Sequence, residues 1–317
     1  DDQSAKDKFA AFINGVYPRT DILAQLTRDF DRNRVSKTDV KKQQEKDFDN
    51  LLSVQKKANL DYFEDGKISW QDIFRPIVEA SEGIEAGALT RWFDNNTFYR
   101  QPIIKARIKL NTKKLDEYFK DVEKVTLISP FTFAKLAENN LSDSFEKTLD
   151  IITELYKDII NYLVDRKVIF VQFNEPYIPY YSVKKTEISL LGKAIKTIVN
   201  KSDIKIAVHG YFGDGAELVK ALEENQSINV LGIDFTRTSL LSLPKGLKQD
   251  IIAGVIEGRN SLIEEKKMLT TFIEKLCKQT PDNTIYLSNN SDLDLLPESV
   301  AKEKIKLLGE IKKEFSI

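Results

Sequence analysis

The sequence predicts an α/β protein that folds as a single (β/α)8 TIM barrel, and three observations support this prediction. Eight short apolar runs each end on a polar or charged residue, and helical stretches separate most of them. Continuous apolar runs of this kind are typical of parallel strands that helices cover on the outside. Eight such strands are the number that closes a barrel of this kind. The predicted strands are 11–19, 58–66, 124–131, 168–176, 204–212, 228–236, 251–259 and 284–292.

Apolar residues at helical spacing predict the helices between these strands. In 142–166 the apolar positions fall on one face, and Asp143 followed by Glu146 predicts a capping box at its start. Four further helices are expected at 189–200, 216–224, 261–279 and 297–315.

The second connection is far longer than a barrel crossover needs, since residues 67–123 separate the second and third predicted strands. Apolar and basic positions alternate over 98–110, which predicts a strand with one wet face, half of a hairpin. We therefore expect one domain over 1–317, with a helix and hairpin excursion after strand 2. Leaving the rim at that point, the excursion would lie over the barrel mouth as a substrate lid or subunit contact.

Composition limits the possible partners and the compartment. Lys plus Arg total 48 and Asp plus Glu total 49, so the charge balance indicates no nucleic-acid partner and no anionic membrane. The single Cys277 excludes an internal disulfide framework, which favours a reducing, cytoplasmic setting. Apolar runs near 18 residues are lacking, so no membrane span is expected.

Polar side chains near the ends of the predicted strands mark the rim where barrels of this kind bind ligands. A carboxylate there can accept a proton or bind an amine, and an imidazole can do acid–base work. No glycine-rich phosphate loop follows any of the strands. The rim positions are Arg19, Glu64, Asp65, Ser129, Glu175, His209, Asp234, Glu257, Arg259, Asn289, Asn290 and Ser291.

Three of these residues are the candidate catalytic groups. Glu175, before Pro176, either accepts a hydrogen bond or a proton from a substrate, or is a structural carboxylate paired with an arginine. His209, the only histidine, is either functional or a satisfied buried side chain, and Asp234 ends the next strand. The three side chains could form a weak oxygen-and-nitrogen metal site. Zinc is not expected, because a third firm ligand is lacking and the only cysteine lies elsewhere.

A second candidate site lies in the excursion, where two arginines flank aromatic and amide side chains. Guanidinium groups suit carboxylates, amides suit a heteroaromatic edge, and an indole suits stacking. The alternative is a well-packed turn with its aromatic residues in a small core. The cluster consists of Arg91, Trp92, Asn95, Asn96, Tyr99 and Arg100.

Eight segments of the sequence, taken together and in chain order, resemble segments of the cobalamin-independent methionine synthases. The resemblance runs from about residue 12 to 315, and it is the combination that is specific. It implies a (β/α)8 barrel from an enzyme of two similar barrels. In that family the C-terminal barrel binds zinc and homocysteine, methyl-tetrahydrofolate binds between the barrels, and the metal-free N-terminal barrel helps to hold the glutamate tail. The matching segments are GVYPR, TRWFDNNTFYRQPII, ISPFTFAKLA, FVQFNEPYI, HGYFGD, LGIDFTRT, AGVIEGRN and LSNNSDLDLLPESV.

Departures at the zinc ligands indicate which barrel this chain resembles. His209 stands at the zinc-binding His and Asp234 at the Glu, but Tyr211 and Ser291 stand where the family has its two cysteines. The metal positions are therefore vestigial, and the chain is most similar to the metal-free N-terminal barrel. The resemblance implies no tightly bound cofactor, methyl-tetrahydrofolate as a possible co-substrate, and a separate zinc-bearing catalytic barrel as a possible partner.

The same resemblance assigns binding roles to several residues. Five of them would face the folate or the partner: Arg19, Arg91, Trp92, Asn95 and Lys105. Asn96, Tyr99, Glu175 and Ser291 are further candidates for contact with a small-molecule substrate. The segment Thr20 to Leu23 is not basic, unlike the tail-binding segment of the metal-free barrel.

Three functional hypotheses remain from the sequence. The first is a non-catalytic companion of a zinc-bearing barrel, inactive alone. The second is an independent barrel methyltransferase that uses Glu175, His209 and Asp234. The third is a module that binds folate, another methyl donor or a carrier protein without catalysis, and that depends on Arg91 and Trp92.

Overall fold

The computed structural model describes residues 8–200 and 202–316. Within these ranges the strands, in chain order, are β1 (Phe9–Ala11), β2 (Ser81–Arg91), β3 (Phe98–Leu110), β4 (Lys124–Ile128), β5 (Glu138–Asn139), β6 (Phe170–Glu175), β7 (Lys205–Gly210), β8 (Val230–Asp234), β9 (Asp250–Ile256) and β10 (Ile285–Asn289). Seven of the strands so described form a curled parallel sheet in the order β1-β10-β9-β8-β7-β6-β4. This sheet confirms the predicted α/β fold class.

Helices follow most of the strands and cover the sheet. They are α1 (Asp21–Asp31), α2 (Lys37–Lys57), α3 (Arg75–Glu79), α4 (Thr112–Leu115), α5 (Pro130–Leu136), α6 (Phe145–Asp165), α7 (Tyr177–Tyr180), α8 (Lys185–Ile198), α9 (Ala216–Leu222), α10 (Lys266–Gln279) and α11 (Glu298–Phe315), with a 3₁₀ turn at Leu240–Ser242. In the described ranges, each helix is too short or too polar to traverse a bilayer.

The prediction of a capping box at the start of the long helix α6 is wrong, because the cap is Ser144 and the third helical residue is Lys147, whose side chain cannot accept a hydrogen bond. Ser144, rather than Asp143, is the N-cap, and its hydroxyl accepts from the main-chain N of Lys147 at 3.3 Å. The helix begins at Phe145, whose ring centroid lies 5.0 Å from that of Phe131. This packing fixes the first helical residue, so that the residue before it becomes the cap.

The prediction of a second regular strand at 58–66 is wrong. Asn59, Tyr62 and Gly66 have positive φ, a left-handed conformation that interrupts an extended strand. The segment nevertheless lies beside β1, because the main-chain N of Asp61 donates to the carbonyl of Ala11 at 2.7 Å. The second position of the barrel is therefore occupied by irregular backbone.

Side chains connect this irregular segment to β4. The buried carboxylate of Glu64 lies 2.5 Å from the Lys124 ammonium and also accepts from the Thr126 hydroxyl. Lys124 and Glu64 are almost completely buried, at 0% and 1% side-chain exposure. The ion pair stands where backbone hydrogen bonds would join two neighbouring strands.

The excursion after the second position consists of a helix and a hairpin, as predicted. α3 leads into β2, which pairs antiparallel with β3, and β5 adds to β3 in parallel. At the hairpin tip, the Phe93 ring centroid lies 4.9 Å from that of Tyr180 and 5.6 Å from that of Phe212. Those two residues follow β6 and β7, so the tip reaches the C-terminal ends of the strands.

The barrel interior changes from aromatic to polar along the strands. Near the N-terminal ends, the rings of Phe12, Phe170 and Tyr286 contact one another with centroids 5.5–5.7 Å apart. Towards the C-terminal ends, Asn14 and Asn289 exchange hydrogen bonds of 2.8–3.0 Å while buried. Hydrogen-bonding groups therefore lie directly beneath the rim.

Candidate functional site

A cavity of about 440 Å³ lies at the C-terminal rim. It is bounded by the segment after β1, the segment 67–73, the tip of the β2–β3 hairpin and the segment after β10. Its volume is within the range of small-molecule sites in proteins. We call it the rim cavity, and its lining residues are Val16, Tyr17, Arg19, Lys67, Trp70, Gln71, Asp72, Ile73, Trp92, Asn96, Thr97, Phe98, Tyr99, Asp292 and Asp294.

Two cations line the rim cavity, and both make contacts within the protein. Arg19, which was predicted to face a ligand, donates to the main-chain carbonyls of Ile68, at 3.2 Å, and Trp70. Lys67, which the sequence reading missed, donates to the Thr126 carbonyl and lies 3.9 Å from the Trp70 ring centroid. Burial lowers the pKa of Arg19 and of Lys67. Both side chains thus hold the 67–70 segment in place.

Two acids that were not predicted as site residues, Asp292 and Asp294, also line the rim cavity. Asp292 accepts from the main-chain N of Val16 at 2.8 Å and from the Tyr211 hydroxyl at 3.5 Å. Burial raises the pKa of Asp292, and burial followed by the neighbouring Asp292 raises the pKa of Asp294 to about 7. Arg19 opposes the second shift. The sequence signal was present, because Asp292 ends the last predicted strand and Asp294 lies two residues after it.

The aromatic wall contains three of the predicted residues. Trp92 and Tyr99 are buried with ring centroids 5.8 Å apart, and Asn96 lies on the exposed side of the same wall. Trp70 and Phe98 complete this wall. The two tryptophans of the chain therefore both line the rim cavity. Their emission is a specific probe of its occupancy.

Three predicted basic residues of the excursion, Arg91, Arg100 and Lys105, do not line this cavity. Arg91 ends β2 with its guanidinium carbon 5.5 Å from the Phe98 ring centroid, exposed to solvent. Lys105 is exposed on β3 and pairs with Glu85 at 2.8 Å. Successive strand residues point to opposite faces, so Arg91 points away when Trp92 points inward. Arg100 is likewise exposed and does not line the cavity.

Asn95 lies at the hairpin tip, where it anchors the tip to the rim. It is buried, and its side-chain oxygen accepts from Arg259 at 3.1 Å. Arg259 also pairs with Asp94 at 3.2 Å, and its guanidinium carbon lies 4.5 Å from the Phe212 ring centroid. Asn95 therefore joins the hairpin to the segment after β9 instead of facing the cavity.

Glu175 is completely buried and bound by neighbouring segments of the protein. Its carboxylate accepts from the main-chain N of Thr132 at 3.1 Å, from the Thr132 hydroxyl at 2.7 Å and from the main-chain N of Ile178 at 3.0 Å. Burial raises the pKa of Glu175 to about 7, against these hydrogen bonds. The sequence left open a structural carboxylate paired with an arginine. In the structure, Thr132 and Ile178 bind this carboxylate instead of an arginine.

His209 and Asp234 are connected through Asn290. The Nε2 of His209 lies 2.7 Å from the Asn290 carbonyl, and the Asn290 side-chain amide donates to Asp234 at 3.2 Å. Asp234 also accepts from the Thr236 hydroxyl at 2.6 Å. Burial lowers the pKa of His209 to about 4 and raises the pKa of Asp234. Both side chains thus hold rim segments together.

Ser291 and Tyr211, which the sequence resemblance places at the family's two cysteine positions, are buried beside this group. Ser291 donates to the Asn290 side-chain oxygen at 3.2 Å and does not line the cavity. Tyr211 lies with its ring centroid 5.7 Å from that of His209. A serine hydroxyl and a tyrosine phenol are poor zinc ligands compared with cysteine thiolates. The Nε2 of His209 already contacts the Asn290 carbonyl. These residues therefore do not fit a zinc ion.

Among residues 8–200 and 202–316, no group of three or more His, Cys, Asp or Glu side chains is arranged to hold a metal ion.

Comparisons with known proteins point to one family. Residues 77–281 match the family described as cobalamin-independent synthase, N-terminal domain. A 5-methyltetrahydropteroyltriglutamate–homocysteine methyltransferase from Listeria welshimeri is 30% identical over 250 residues, covering 71% of this chain and 32% of the relative. The chain thus spans about a third of that relative. A methionine synthase from Saccharolobus solfataricus is 24% identical over 311 residues, covering 92% of this chain and 90% of the relative.

Solved structures show the same fold. A B12-independent methionine synthase from Shewanella sp. W3-18-1, in complex with selenomethionine, superposes with a TM-score of 0.77 over 96% of this chain and 97% of that one, at 15% identity. A putative vitamin-B12-independent methionine synthase from Listeria monocytogenes gives 0.76 at 16% identity, over 97% and 98% of the two chains. Because the family match covers more than half of the sequence, this chain belongs to the N-terminal domain family of the cobalamin-independent synthases.

Proposed function

We propose that this chain is a zinc-free barrel of a cobalamin-independent methionine synthase. It binds a methyltetrahydrofolate-type donor in the rim cavity and serves a separate zinc-bearing barrel. The observation that carries the proposal is the rim cavity, which has two tryptophans and three acids in its lining. The sequence resemblance places Tyr211 and Ser291, both buried, at the positions of the family's two cysteines.

The relatives support this choice of ligand. The Listeria welshimeri relative is named for acting on 5-methyltetrahydropteroyltriglutamate and homocysteine. A donor of this kind has a flat bicyclic head and an anionic tail. The rim cavity offers an aromatic wall beside polar groups, which is the usual composition of a small-molecule site.

In this proposal the residues of the chain bind, orient and enclose the donor. Trp92 and Tyr99 provide the apolar wall, Arg19 keeps the 68–70 segment in place, and Asn95 with Arg259 holds the hairpin tip over the rim. Zinc-dependent activation of the acceptor thiol belongs to the partner barrel, because the side chains of this barrel do not fit the metal. Positioning of the donor is then this chain's contribution to the rate.

The independent-enzyme hypothesis finds less support in the geometry. Its three candidate groups, Glu175, His209 and Asp234, are bound by residues of the protein itself and none lines the rim cavity. A general base must come within hydrogen-bond reach of its substrate. The chain alone is accordingly expected to give no product.

A methyl-transfer assay tests the proposal. Homocysteine and 5-methyltetrahydrofolate are incubated with this chain, with a zinc-bearing barrel from the same organism, and with both. We expect methionine above background only with both chains, and less than a tenth of an equivalent of zinc in this one. Product from this chain alone, or stoichiometric zinc in it, would contradict the proposal. Donor binding without any effect on the partner would instead favour the binding-module hypothesis.

A further inference from the structure

The segment after β9 connects two walls of the rim cavity without lining the cavity itself. On one side, the Arg259 guanidinium donates to the side-chain oxygen of Asn95 at the hairpin tip, at 3.1 Å. On the other side, Gly258 lies so close to the segment after β10 that a side chain at this position would collide with the carbonyl of Asp292. We call residues 257–260 the brace, because they lie between the hairpin tip and the wall that carries Asp292.

One lysine outside the cavity holds both ends of the brace. Lys304 lies in α11, and its ammonium donates to the main-chain carbonyls of Glu257, at 2.8 Å, and Asn260, at 2.6 Å. Glu257 precedes Gly258 and Asn260 follows Arg259, so the two carbonyls enclose the two residues that contact the cavity walls. The Lys304 side chain is only 1% exposed. The position of the brace therefore depends on one buried charge.

A carboxylate takes the remaining donor position of this lysine. The Oε1 of Glu264 lies 2.6 Å from the Lys304 ammonium and also accepts from the main-chain N of Glu257 at 3.1 Å. An ammonium has three N–H donors, and all three are used here. Hydrogen bonds with a charged partner are stronger than neutral ones. Lys304 thus has no donor left for a ligand, and its contacts fix the backbone of the brace.

From Arg259 a continuous series of hydrogen bonds leads to the aromatic wall. Arg259 binds the Asn95 side-chain oxygen, and the Asn95 side-chain amide donates to the Trp92 carbonyl at 3.1 Å. The main-chain N of Asn95 donates to the same carbonyl at 3.0 Å, and the main-chain N of Trp92 donates to the Thr97 carbonyl at 2.8 Å. Trp92 and Thr97 both line the rim cavity. The place of this wall therefore depends on where Arg259 is held.

We infer that Lys304 is a positioning residue for the rim cavity. By fixing the brace, it sets the place of the Trp92 wall through Arg259 and Asn95, although Lys304 itself does not line the cavity. The inference rests on the proposed function only for the choice of ligand. It gives a residue of the outer helix layer control over the shape of the site.

Hydrogen exchange followed by mass spectrometry tests this inference without a ligand. Lys304→Met keeps a side chain of similar length but removes the donors to the brace. We expect amides in peptides covering 92–97 to exchange about ten-fold faster than in the wild type. Peptides covering 67–73, which Arg19 holds, should keep their rate. Unchanged exchange over 92–97 in the folded variant would overturn the inference.

Lys312→Met is the matched control. Lys312 lies in the same helix and binds the Asn59 carbonyl at 2.7 Å and the Asp61 carboxylate at 2.9 Å. The substitution removes the same kind of contact away from the brace, and exchange over 92–97 should stay as in the wild type. An equal increase in the two variants would show a general loss of stability and overturn the positioning role.

A second variant separates positioning from stability. Lys304→Met leaves the largely buried Glu264 carboxylate without its partner, which by itself lowers stability. Lys304→Met with Glu264→Gln removes this charge and keeps an acceptor for the main-chain N of Glu257. We expect the double variant to regain stability in urea unfolding while its hairpin tip still exchanges fast. A tip that regains its protection together with the stability would overturn the inference.

Arg259→Met tests whether Lys304 acts through Arg259. When this residue is already replaced, adding Lys304→Met should speed exchange over 92–97 no further, so the two effects should not be additive. Additive effects on the exchange rate would contradict the series of contacts from the brace to the hairpin tip.

Calorimetric titration with 5-methyltetrahydrofolate connects the wall to binding. We expect Lys304→Met to bind this donor about ten-fold more weakly than the wild type, and Lys312→Met to bind it equally well. Unchanged affinity beside a fast-exchanging hairpin tip would overturn the role of Lys304 in binding. A wild-type protein that does not bind the donor would remove the proposed function, and the exchange rates would then decide the inference alone.

Discussion

Glu175→Gln is the substitution that best separates a structural role from a functional one. The carboxylate accepts from Thr132 on one oxygen, and from Thr132 and Ile178 on the other. Glutamine keeps the shape but places an NH₂ against buried donors, leaving at least one of them without an acceptor. An orphaned buried donor costs about 1–3 kcal/mol. That is a large share of the roughly 5–15 kcal/mol by which domains are stable.

The effect should also depend on pH in a known direction. Burial raises the pKa of Glu175 from 4.5 to about 7. Between these values the folded protein keeps a proton that the unfolded chain has released, so this group's contribution to stability is full below pH 4.5 and is lost as pH rises through 7. The loss amounts to about 3 kcal/mol, and glutamine cannot show it. The destabilisation caused by the substitution should therefore shrink as pH rises.

Urea unfolding from pH 5 to 8, paired with donor binding at each pH, measures both quantities. The exposed Glu224 is a matched control, and Glu224→Gln should change the free energy of unfolding by less than about 0.5 kcal/mol. A Glu175→Gln protein with unchanged stability and lost donor binding would refute the reasoning. In that case the carboxylate would be contacting the ligand.

Three further predictions follow from buried charges. Glu64→Gln leaves the Lys124 ammonium buried without its partner and should lower the free energy of unfolding in denaturant by about 3–5 kcal/mol. Replacing both residues by Met should cost far less, and equal costs would contradict this prediction. Burial lowers the pKa of His209 from 6.5 to about 4. The stability that this group contributes above pH 6.5 should therefore be lost as pH falls to 4, by about 3 kcal/mol relative to His209→Gln in matched thermal melts. Parallel stability curves of the two proteins against pH would contradict this prediction. Donor affinity should change as pH passes 7, because Asp294 ionises in the wall of the rim cavity, and a flat titration profile would count against this cavity as the donor site.

The sequence was sufficient for the elements whose burial follows from local pattern. β6 and β9 are buried at every residue. The apolar run 251–256 predicted this for β9, and the runs of β-branched and aromatic residues around 168–173 predicted it for β6. The run 58–66 has similar local content but is not a strand, because its fit depends on Glu64 reaching Lys124, sixty residues away. Such a pair leaves no periodic signal.

Only part of the site was predicted from the sequence, because the roles of its other residues depend on contacts between distant segments. Trp92 and Tyr99 were found because aromatic residues beside amides are conspicuous in a polar excursion. Asp292 and Asp294 were missed because their role depends on where the segment after β10 meets the segments that carry Arg19 and Lys67. Glu175 stood out at a strand end, yet only the structure shows that Thr132 and Ile178 take up its carboxylate.

The central claim is that the rim cavity is the ligand site of this barrel. The most direct measurement is a titration with 5-methyltetrahydrofolate followed by tryptophan emission, corrected for absorbance by the ligand, because the two tryptophans, Trp70 and Trp92, both line that cavity. We predict a saturable one-to-one change in emission that agrees with the calorimetric affinity. Calorimetric binding that leaves the emission unchanged would place the ligand elsewhere and contradict the claim.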